Sequence, residues 1–574
     1  MRRLLSYLKP DAFHVFLTML YKILWSVFML IIPYILGYIL DEVVPKTPET
    51  GLLPIFQWGG IMLLCAGACF YLGLDANVRA ARVARDVSGA VRLDLYDRIS
   101  ALSARQVDSF TVPSLVARMS SDTYTTHNMI LAILRGGIHN VMLFFAGIAM
   151  TMIVEPVLGL TLVAVLPFIS FTVFFISVKS TRLFKVRQKK VDAMVRVIRD
   201  SFTGIRVIKA LSKTDYEKER FRGVKDDLSH AAIKAGRVVS VSKSLIALFL
   251  NLGMTSVVVV GAFRVVSGHT QPGQIISFMS YFTIILNATI TITTLFNAIS
   301  AGAASAHRIF EVIDTEPELL LTPPEEKKED APFIEFRDVT FSYNKTLPTL
   351  SHISFSLKRG ETLGVIGSTG SGKSTLIQLL LRFYDADGGQ ILLEGRDVKS
   401  IPPEELHTRF GVVFQSDFLA AESISENIRF ARNVNGSGIE KAAGLAQTTS
   451  FIQSNEEGFN YELTPRGSNL SGGQRQRLLV ARALAAKPDI LLLDDASSAL
   501  DYKTDALLRQ GIREEMGGVT TILVAQRVSS VRSADRILVL EHGETVGYGT
   551  DAELMKTCPI YEEIARSQMG ELLG

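Results

Sequence analysis

Cysteine is scarce in this chain, with three in 574 residues, and that scarcity excludes a small disulfide-stapled scaffold. Cys65 and Cys69 fall four apart inside an apolar run and read as small packing residues on one helix face. Cys558 has no second thiol near it in sequence and takes no redox or metal role. Net charge is equally slight: 60 basic residues against 57 acidic ones leave +3, no field of the kind that draws nucleic acid, which is excluded as a partner. Low-complexity tracts and long-range repeats are missing too. The opening Met1-Arg2-Arg3-Leu4-Leu5 is basic and then apolar, but the following hydrophobic stretch is too long for a secretory signal and lacks a small-residue cleavage pattern, so it is expected to be retained.

Apolar residues, by contrast, make up 48% of the chain. The first half carries most of them, whereas the second half reads like a soluble α/β protein. At about 100 to 200 residues per domain, the length suggests three or four packing units. A bilayer crossing needs about 20 apolar residues, and six stretches before residue 305 supply it: 13–40, 55–76, 129–153, 157–178, 240–266 and 274–300. Arg79, Arg82, Arg85, Arg92, Arg98 and Arg105 crowd the segment after the second stretch, and Lys and Arg are dense from Lys179 to Lys243. By the positive-inside rule these two long connections are cytoplasmic, and the short ones, 41–53, 155–156 and 267–273, face outside. The long connections keep a periodic apolar pattern, so the helices are expected to run on beyond the membrane. Ahead of the first stretch, Leu4, Leu5, Tyr7 and Leu8 interleave with Arg2, Arg3 and Lys9 up to Pro10, which suits a short amphipathic helix lying on membrane lipid. A charged, Pro-bearing stretch, Thr322-Pro323-Pro324-Glu325-Glu326-Lys327-Lys328-Glu329-Asp330, reads as a linker. From Phe333 short β-rich runs such as Ile334-Glu335-Phe336 and Leu363-Gly364-Val365-Ile366 alternate with helical patterns.

Gly367-Ser368-Thr369-Gly370-Ser371-Gly372-Lys373-Ser374 fits the phosphate-binding pattern G-x-x-x-x-G-K-[ST], and it follows a strand and opens a helix. Glycines let successive N–H groups point at the phosphates, Lys373 neutralises the outer phosphates, the Ser374 hydroxyl reaches Mg²⁺, and Thr375 is assigned to the nucleotide with them. The apolar run Ile490-Leu491-Leu492-Leu493 ends in Asp494, a carboxylate placed to hold the Mg²⁺ water shell at a sheet edge. The pair reads as a P-loop NTPase that uses ATP and Mg²⁺.

Leu470-Ser471-Gly472-Gly473-Gln474, just upstream of that strand, resembles the LSGGQ signature of ABC transporters, and the resemblance covers nearly the whole chain. It implies an α-helical transmembrane domain of exporter type with six spans, fused to an α/β P-loop NTPase domain of ABC type. The expected boundaries are 1–315 for the membrane domain with its elbow helix and two cytoplasmic loops, 316–332 for the linker and 333–574 for the ATP-binding domain. The resemblance also assigns roles: Tyr343 stacks on adenine, Gln415 is the Q-loop glutamine and a metal-site residue beside Ser374 and Asp494, and Ser498-Ala499-Leu500-Asp501 is the D-loop. In such proteins two ATP-binding domains close head to tail. Ser471, Gly472, Gly473 and Gln474 then cover an ATP held by the other domain's P-loop, and one chain owns two half-sites. Fusion of the two domains favours export over import, and the expected location is the cell membrane, multi-pass, with the ATP-binding domain cytoplasmic.

Two positions depart from the family pattern. The glutamate that polarises the attacking water is Asp495 here, one methylene short, and the switch histidine is Gln526, which cannot exchange a proton. Loss of a positioned base costs about 10² to 10⁴ in rate. The chain's own P-loop side is therefore expected to bind ATP and hydrolyse it slowly, while its intact signature serves a partner. These features resemble the degenerate-side member of heterodimeric multidrug exporters, whose second half-transporter carries the consensus Walker side. Thr464-Pro465-Arg466-Gly467 also lacks the glutamate usual before that Arg-Gly.

Asp108-Ser109-Phe110 through Leu115, Arg118 and Asp122 resembles one coupling segment, and Gly204-Ile205-Arg206-Val207-Ile208-Lys209 resembles the second. Amphipathic small molecules are the expected cargo. Intramembrane Arg135, His139, Asn140, Asn251, Asn287 and Asn297 either line a cavity or bond neighbouring helices, and Phe278, Met279 and Tyr281 form either an adaptable pocket or ordinary packing. A lipid or peptide exporter of the same fold, and a regulatory subunit that binds nucleotide without turnover, are the alternatives.

Overall fold

The computed structural model describes residues 2–430, 432–496 and 500–570; Ser498 and Ala499 of the expected D-loop lie outside them. Two compact units separate: Met1–Ser100 with Val112–Thr315, and Ala101–Thr111 with Glu316–Gly574.

The first unit is helical throughout. Among the described residues five helices are long and apolar enough to cross a membrane: Ala12–Val43, Leu53–Ser100, Val112–Val154, Ala247–Val266 and Pro272–Ile313. The other expected span, 157–178, lies on the continuous helix Pro156–Thr203, with Pro156 at its first turn, where a missing N–H is harmless. As the periodicity suggested, helices run far past the apolar stretches, in Leu53–Ser100, Pro156–Thr203 and Thr214–Val266. Hydroxyls such as those of Thr18, bonded to the His14 carbonyl at 2.7 Å, and Thr289, bonded to the Ile285 carbonyl at 2.8 Å, turn back onto their own helix and are satisfied there, whereas Thr126 Oγ1 is buried without a hydrogen-bond partner. The first and last spanning helices meet where side chains are smallest. A Cβ on Gly37 would stand 2.2 Å from Ser277 Oγ, and this close approach lets Ser277 donate to the Pro33 carbonyl at 2.7 Å and Tyr281 to the Leu30 carbonyl at 2.8 Å.

That placement decides between two readings of the last helix. Phe278 and Tyr281 are fully buried, so they are packing residues of the helix bundle and line no open pocket. Asn140 and Asn251 likewise bond their own helices, at the carbonyls of Gly136 and Ala247. Leu115, Arg118 and Asp122 are buried in this unit. Asp122 accepts from Ser305 Oγ and Arg308 Nε, each at 2.9 Å, and Arg118 donates to the Arg308 carbonyl at 2.7 Å, tying that segment to Pro272–Ile313.

The second unit holds two sheets. Four antiparallel strands run in the order β2-β1-β4-β5, with β1 Ile334–Phe341, β2 Leu350–Leu357, β4 Gly388–Leu393 and β5 Arg396–Asp397. Six strands run in the order β10-β9-β3-β8-β7-β6, with β3 Thr362–Gly367, β6 Phe410–Val413, β7 Ile490–Asp494, β8 Thr520–Val524, β9 Arg536–Glu541 and β10 Glu544–Gly549. Pairing from β9 to β6 is parallel. The all-apolar stretch of β7 suits a parallel strand covered on both faces, and every residue in it is buried. The stretch 316–332 is irregular but fastened to this unit: Thr322 N–H donates to the Lys399 carbonyl at 3.0 Å, and Lys327 pairs with Glu394 at 2.7 Å.

Candidate nucleotide site

Parallel strands bring the motifs together. The C-terminal ends of β3, β8, β7 and β6 lie side by side, and the residues following them are the P-loop, Gln526, Asp495 and Gln415. A cavity of 240 Å³ opens at that edge, lined among others by Thr369, Gly370, Gly372, Lys373, Ser374, Thr375, Gln415, Asp494, Asp495 and Gln526. This is the crevice outside the strand ends where open α/β sheets hold ligands.

Local geometry explains the glycines. Gly372 sits at φ 94°, and a Cβ there would stand 2.4 Å from Leu350 Cδ2 and 3.0 Å from the Thr349 carbonyl oxygen; a Cβ on Gly367 would stand 2.0 Å from the Leu540 carbonyl oxygen. Only glycine fits either place. Lys373 Nζ donates to the carbonyls of Gly367 and Ser368 at 2.9 and 2.8 Å, so the ammonium crosses the mouth of the loop at the start of the helix Lys373–Leu380. Burial lowers its pKa, with Asp494 and Asp495 pulling the other way. Ser371 Oγ is buried without a hydrogen-bond partner.

A buried orphan hydroxyl, a glycine cradle and an ammonium at a helix N-terminus together fit a polyphosphate. The Ser374 hydroxyl bonds the Asp494 carboxylate, whose pKa burial raises, and with Gln415 on the same wall this oxygen donor set fits a hard divalent cation such as Mg²⁺. Asp495, in the left-handed region at φ 53°, is likewise raised by burial. Gln526 Nε2 donates to its Oδ2 at 3.2 Å.

Other expected residues stand outside the cavity. The Tyr343 hydroxyl donates to Gln378 Oε1 at 2.7 Å, and its ring packs edge-on against Phe341 and Tyr384 at 4.9 and 5.2 Å, beside the helix that begins in the P-loop. Ser471 caps the helix Gly472–Ala485 and shares a reciprocal capping box with Gln474. Asp501 caps Tyr502–Glu515 by accepting from Thr504 N–H at 2.9 Å. Neither Asp501 nor Ser471, Gly472, Gly473 and Gln474 reach the P-loop cavity of the same chain. Pro465 begins a tight turn in which Arg466 takes φ 62°.

Two features escaped the sequence reading. Thr349 lines the cavity from the loop ahead of β2. Gln568, on the helix Pro559–Gly570, donates from Nε2 to the Gln526 carbonyl at 2.9 Å and accepts at Oε1 from Val528 N–H at 2.8 Å, gripping the backbone on both sides of Arg527. The first expected coupling segment starts on the short helix Ala104–Phe110, which belongs to this unit: Tyr384 donates to Asp108 Oδ2 at 2.9 Å, Ser103 to Glu318 Oε2 at 2.8 Å, and Gln106 to the Glu316 carbonyl at 2.7 Å. By contrast the second expected coupling segment, the helix Ile205–Ala210, has no buried residue in its own unit.

Comparison with known proteins gives a consistent result. Residues 15–289 match the family described as ABC transporter transmembrane region, and residues 350–498 match the family described as ABC transporter. The chain is 32% identical over 579 residues to the uncharacterized ABC transporter ATP-binding protein YfiB of Bacillus subtilis (strain 168), covering 99% of each. It is 29% identical over 478 residues to a fatty acid ABC transporter ATP-binding/permease protein of Mycobacterium bovis, covering 83% of this chain and 76% of that one. Among solved structures, a bacterial Atm1-family ABC exporter with ATP bound has the same fold, with a TM-score of 0.80, 23% identity and 98% of each chain covered.

Proposed function

Given that the chain belongs to the ABC transporter family, as a multi-pass half-transporter that joins a membrane domain to a cytoplasmic ATP-hydrolysing domain, we propose that it works in a heterodimeric exporter and supplies the slow side of the ATP sandwich. The observation that carries this reading is the Asp495–Gln526 hydrogen bond. The shortened carboxylate and the non-ionisable amide satisfy one another where a base and a protonatable switch residue are needed. ATP is held by Gly367 through Thr375, with Tyr343 beside the base, and Mg²⁺ by Ser374, Asp494 and Gln415. Ser471, Gly472, Gly473 and Gln474, with Asp501, complete the site of a second half-transporter bearing the consensus Walker side. In this reading 1–315 is the membrane domain, 316–332 the linker and 333–574 the ATP-binding domain. ATP closes the pair, and closure shifts the membrane helices from inward-open to outward-open.

Amphipathic small molecules of the multidrug type are the proposed cargo. The fatty acid transporter among the relatives supports a second reading, a lipid-class cargo carried by the same machinery.

Purification from the native membrane tests the assembly. A second half-transporter should co-purify, and replacing its Walker-strand glutamate by glutamine should abolish turnover of the pair. A homodimer of this chain that hydrolyses ATP at the rate of a consensus exporter would overturn the proposal.

A further inference from the structure

Lys22 is 2% exposed inside the membrane unit. Its Nζ donates to Asn77 Oδ1 at 2.9 Å and stands 4.3 Å from the centroid of the Trp25 ring. That ring stacks flat on His139 at 3.8 Å, and His139 Nδ1 is 2.8 Å from Ser26 Oγ. An ammonium has three donors, and here one side-chain acceptor meets it. Arg135, four residues before His139 on the same run of helix, is exposed. Among the described residues neither cation has a carboxylate within ion-pair distance, in contrast to Arg79 with Asp75 and Arg264 with Glu155 in the same unit.

Depth gives the pair a meaning. Counted at about 1.5 Å per residue from the outer helix ends at Val43 and Val154, Lys22 and Arg135 both lie about 30 Å down, one hydrocarbon thickness, at the level of the inner leaflet's headgroups. Two neighbouring cations without a counter-ion repel one another, and at the level of the inner headgroups basic side chains attract anionic lipid and amphiphile heads. An anion entering beside Arg135 would relieve both charges at once.

We infer that Lys22 and Arg135 form a receptor for the ionised headgroup of an anionic amphiphile drawn from the inner leaflet, with Arg135 as the outer contact and Lys22 as the inner one. Trp25 and His139 wall the inner end, and Asn77 holds the ammonium in place. This deepens the export reading by giving the cargo a charge sign, and it rests on that reading only for the transport step. The headgroup belongs either to a free carboxylate cargo or to an anionic phospholipid, since both present the same charge at the same depth.

Trp25 provides a direct reporter, because the chain has two tryptophans and only this one touches Lys22. In the assembled transporter, subtracting the fluorescence of a Trp25→Phe complex isolates its signal. Dodecanoate should quench it, and dodecanol should not. Lys22→Met and Arg135→Gln should each weaken the dodecanoate response at least tenfold, while Lys22→Arg keeps it within threefold; exposed Arg135 guards against a Lys22 variant that fails to fold. Vesicles with and without phosphatidylglycerol separate the sources: a response to the phospholipid alone assigns the site to lipid, and a response to dodecanoate in neutral vesicles assigns it to cargo. Equal quenching by dodecanol, or undiminished dodecanoate binding in both charge-removing variants, would overturn the proposal. Dodecanoate binding without transport of any amphiphile would leave the anion site standing and remove the export reading instead.

Discussion

Gln526 Nε2 donates to Asp495 Oδ2 across 3.2 Å, joining the end of β8 to the end of β7. Repairing both positions should wake the site. Asp495→Glu with Gln526→His, in a pair whose other Walker glutamate is glutamine, is expected to raise turnover about 10- to 100-fold. Single-turnover ATP hydrolysis checks it, and a change smaller than twofold would sink the slow-site reading.

Gln568 grips the backbone on both sides of Arg527, next to Gln526. Gln568→Ala frees both hydrogen bonds, so preference for ATP over ADP should fall about 3- to 10-fold, the scale of one or two hydrogen bonds. If the grip acts through Gln526, the same change in a Gln526→Ala background should have no further effect. Nucleotide titration of the parent and the three variants gives the answer, and additive losses would show that Gln568 acts elsewhere.

Tyr384 ties the helix Ala104–Phe110 to the ATP-binding unit through Asp108. Burial and the neighbouring Asp108 both raise the Tyr384 pKa, so the phenol stays protonated and remains a donor across the physiological range. Tyr384→Phe should leave ATP affinity intact and lower cargo-stimulated ATPase about 3- to 10-fold, as expected for losing one hydrogen bond. Stimulation equal to that of the parent would assign the contact to stability alone.

Glu394 carries the clearest pH signature. Burial by itself would raise its carboxyl, but Arg409, bonded to both oxygens at 3.0 Å, and Lys327 outweigh burial and hold it at about 2. A depressed folded-state pKa stabilises fully above the unfolded value of about 4.3 and is lost as pH falls towards 2. Glu394→Gln should therefore cost about 2 kcal/mol at pH 7 and progressively less below pH 4. Thermal melts of the full-length chain at pH 7, 4 and 3 test the slope; a pH-independent difference would contradict it.

Much of the candidate site's placement at the strand ends was legible because its motifs are written in contiguous residues. Gly367 through Ser374 and the apolar strand ending at Asp494 each declare a strand end and a phosphate or metal need within a few positions. Gln568 had no such signal: it lies 42 residues from Gln526, and a lone glutamine on a helix has no spacing to read. Asp108 and Tyr384, 276 apart, are paired by tertiary folding alone. In the membrane unit, hydropathy marked where chain meets lipid, and it took the periodic apolar pattern beyond 55–76 to show that the helix continues, as it does to Ser100. Phe278 and Tyr281 were ambiguous for another reason, since apolar bulk suits a pocket and a core equally well, and only tertiary packing, against Leu158, Leu162 and Val257 for Phe278 and against Leu30 and Leu143 for Tyr281, decides between them.

The length of Leu53–Ser100, 48 residues without an internal proline, makes it a lever. An α-helix of that size is about 72 Å long, and tilting it by about 5° around its middle carries each tip through about 3 Å. A modest displacement at the Ser100 end is thus returned undiminished at the Leu53 end, with no hinge between them to absorb it.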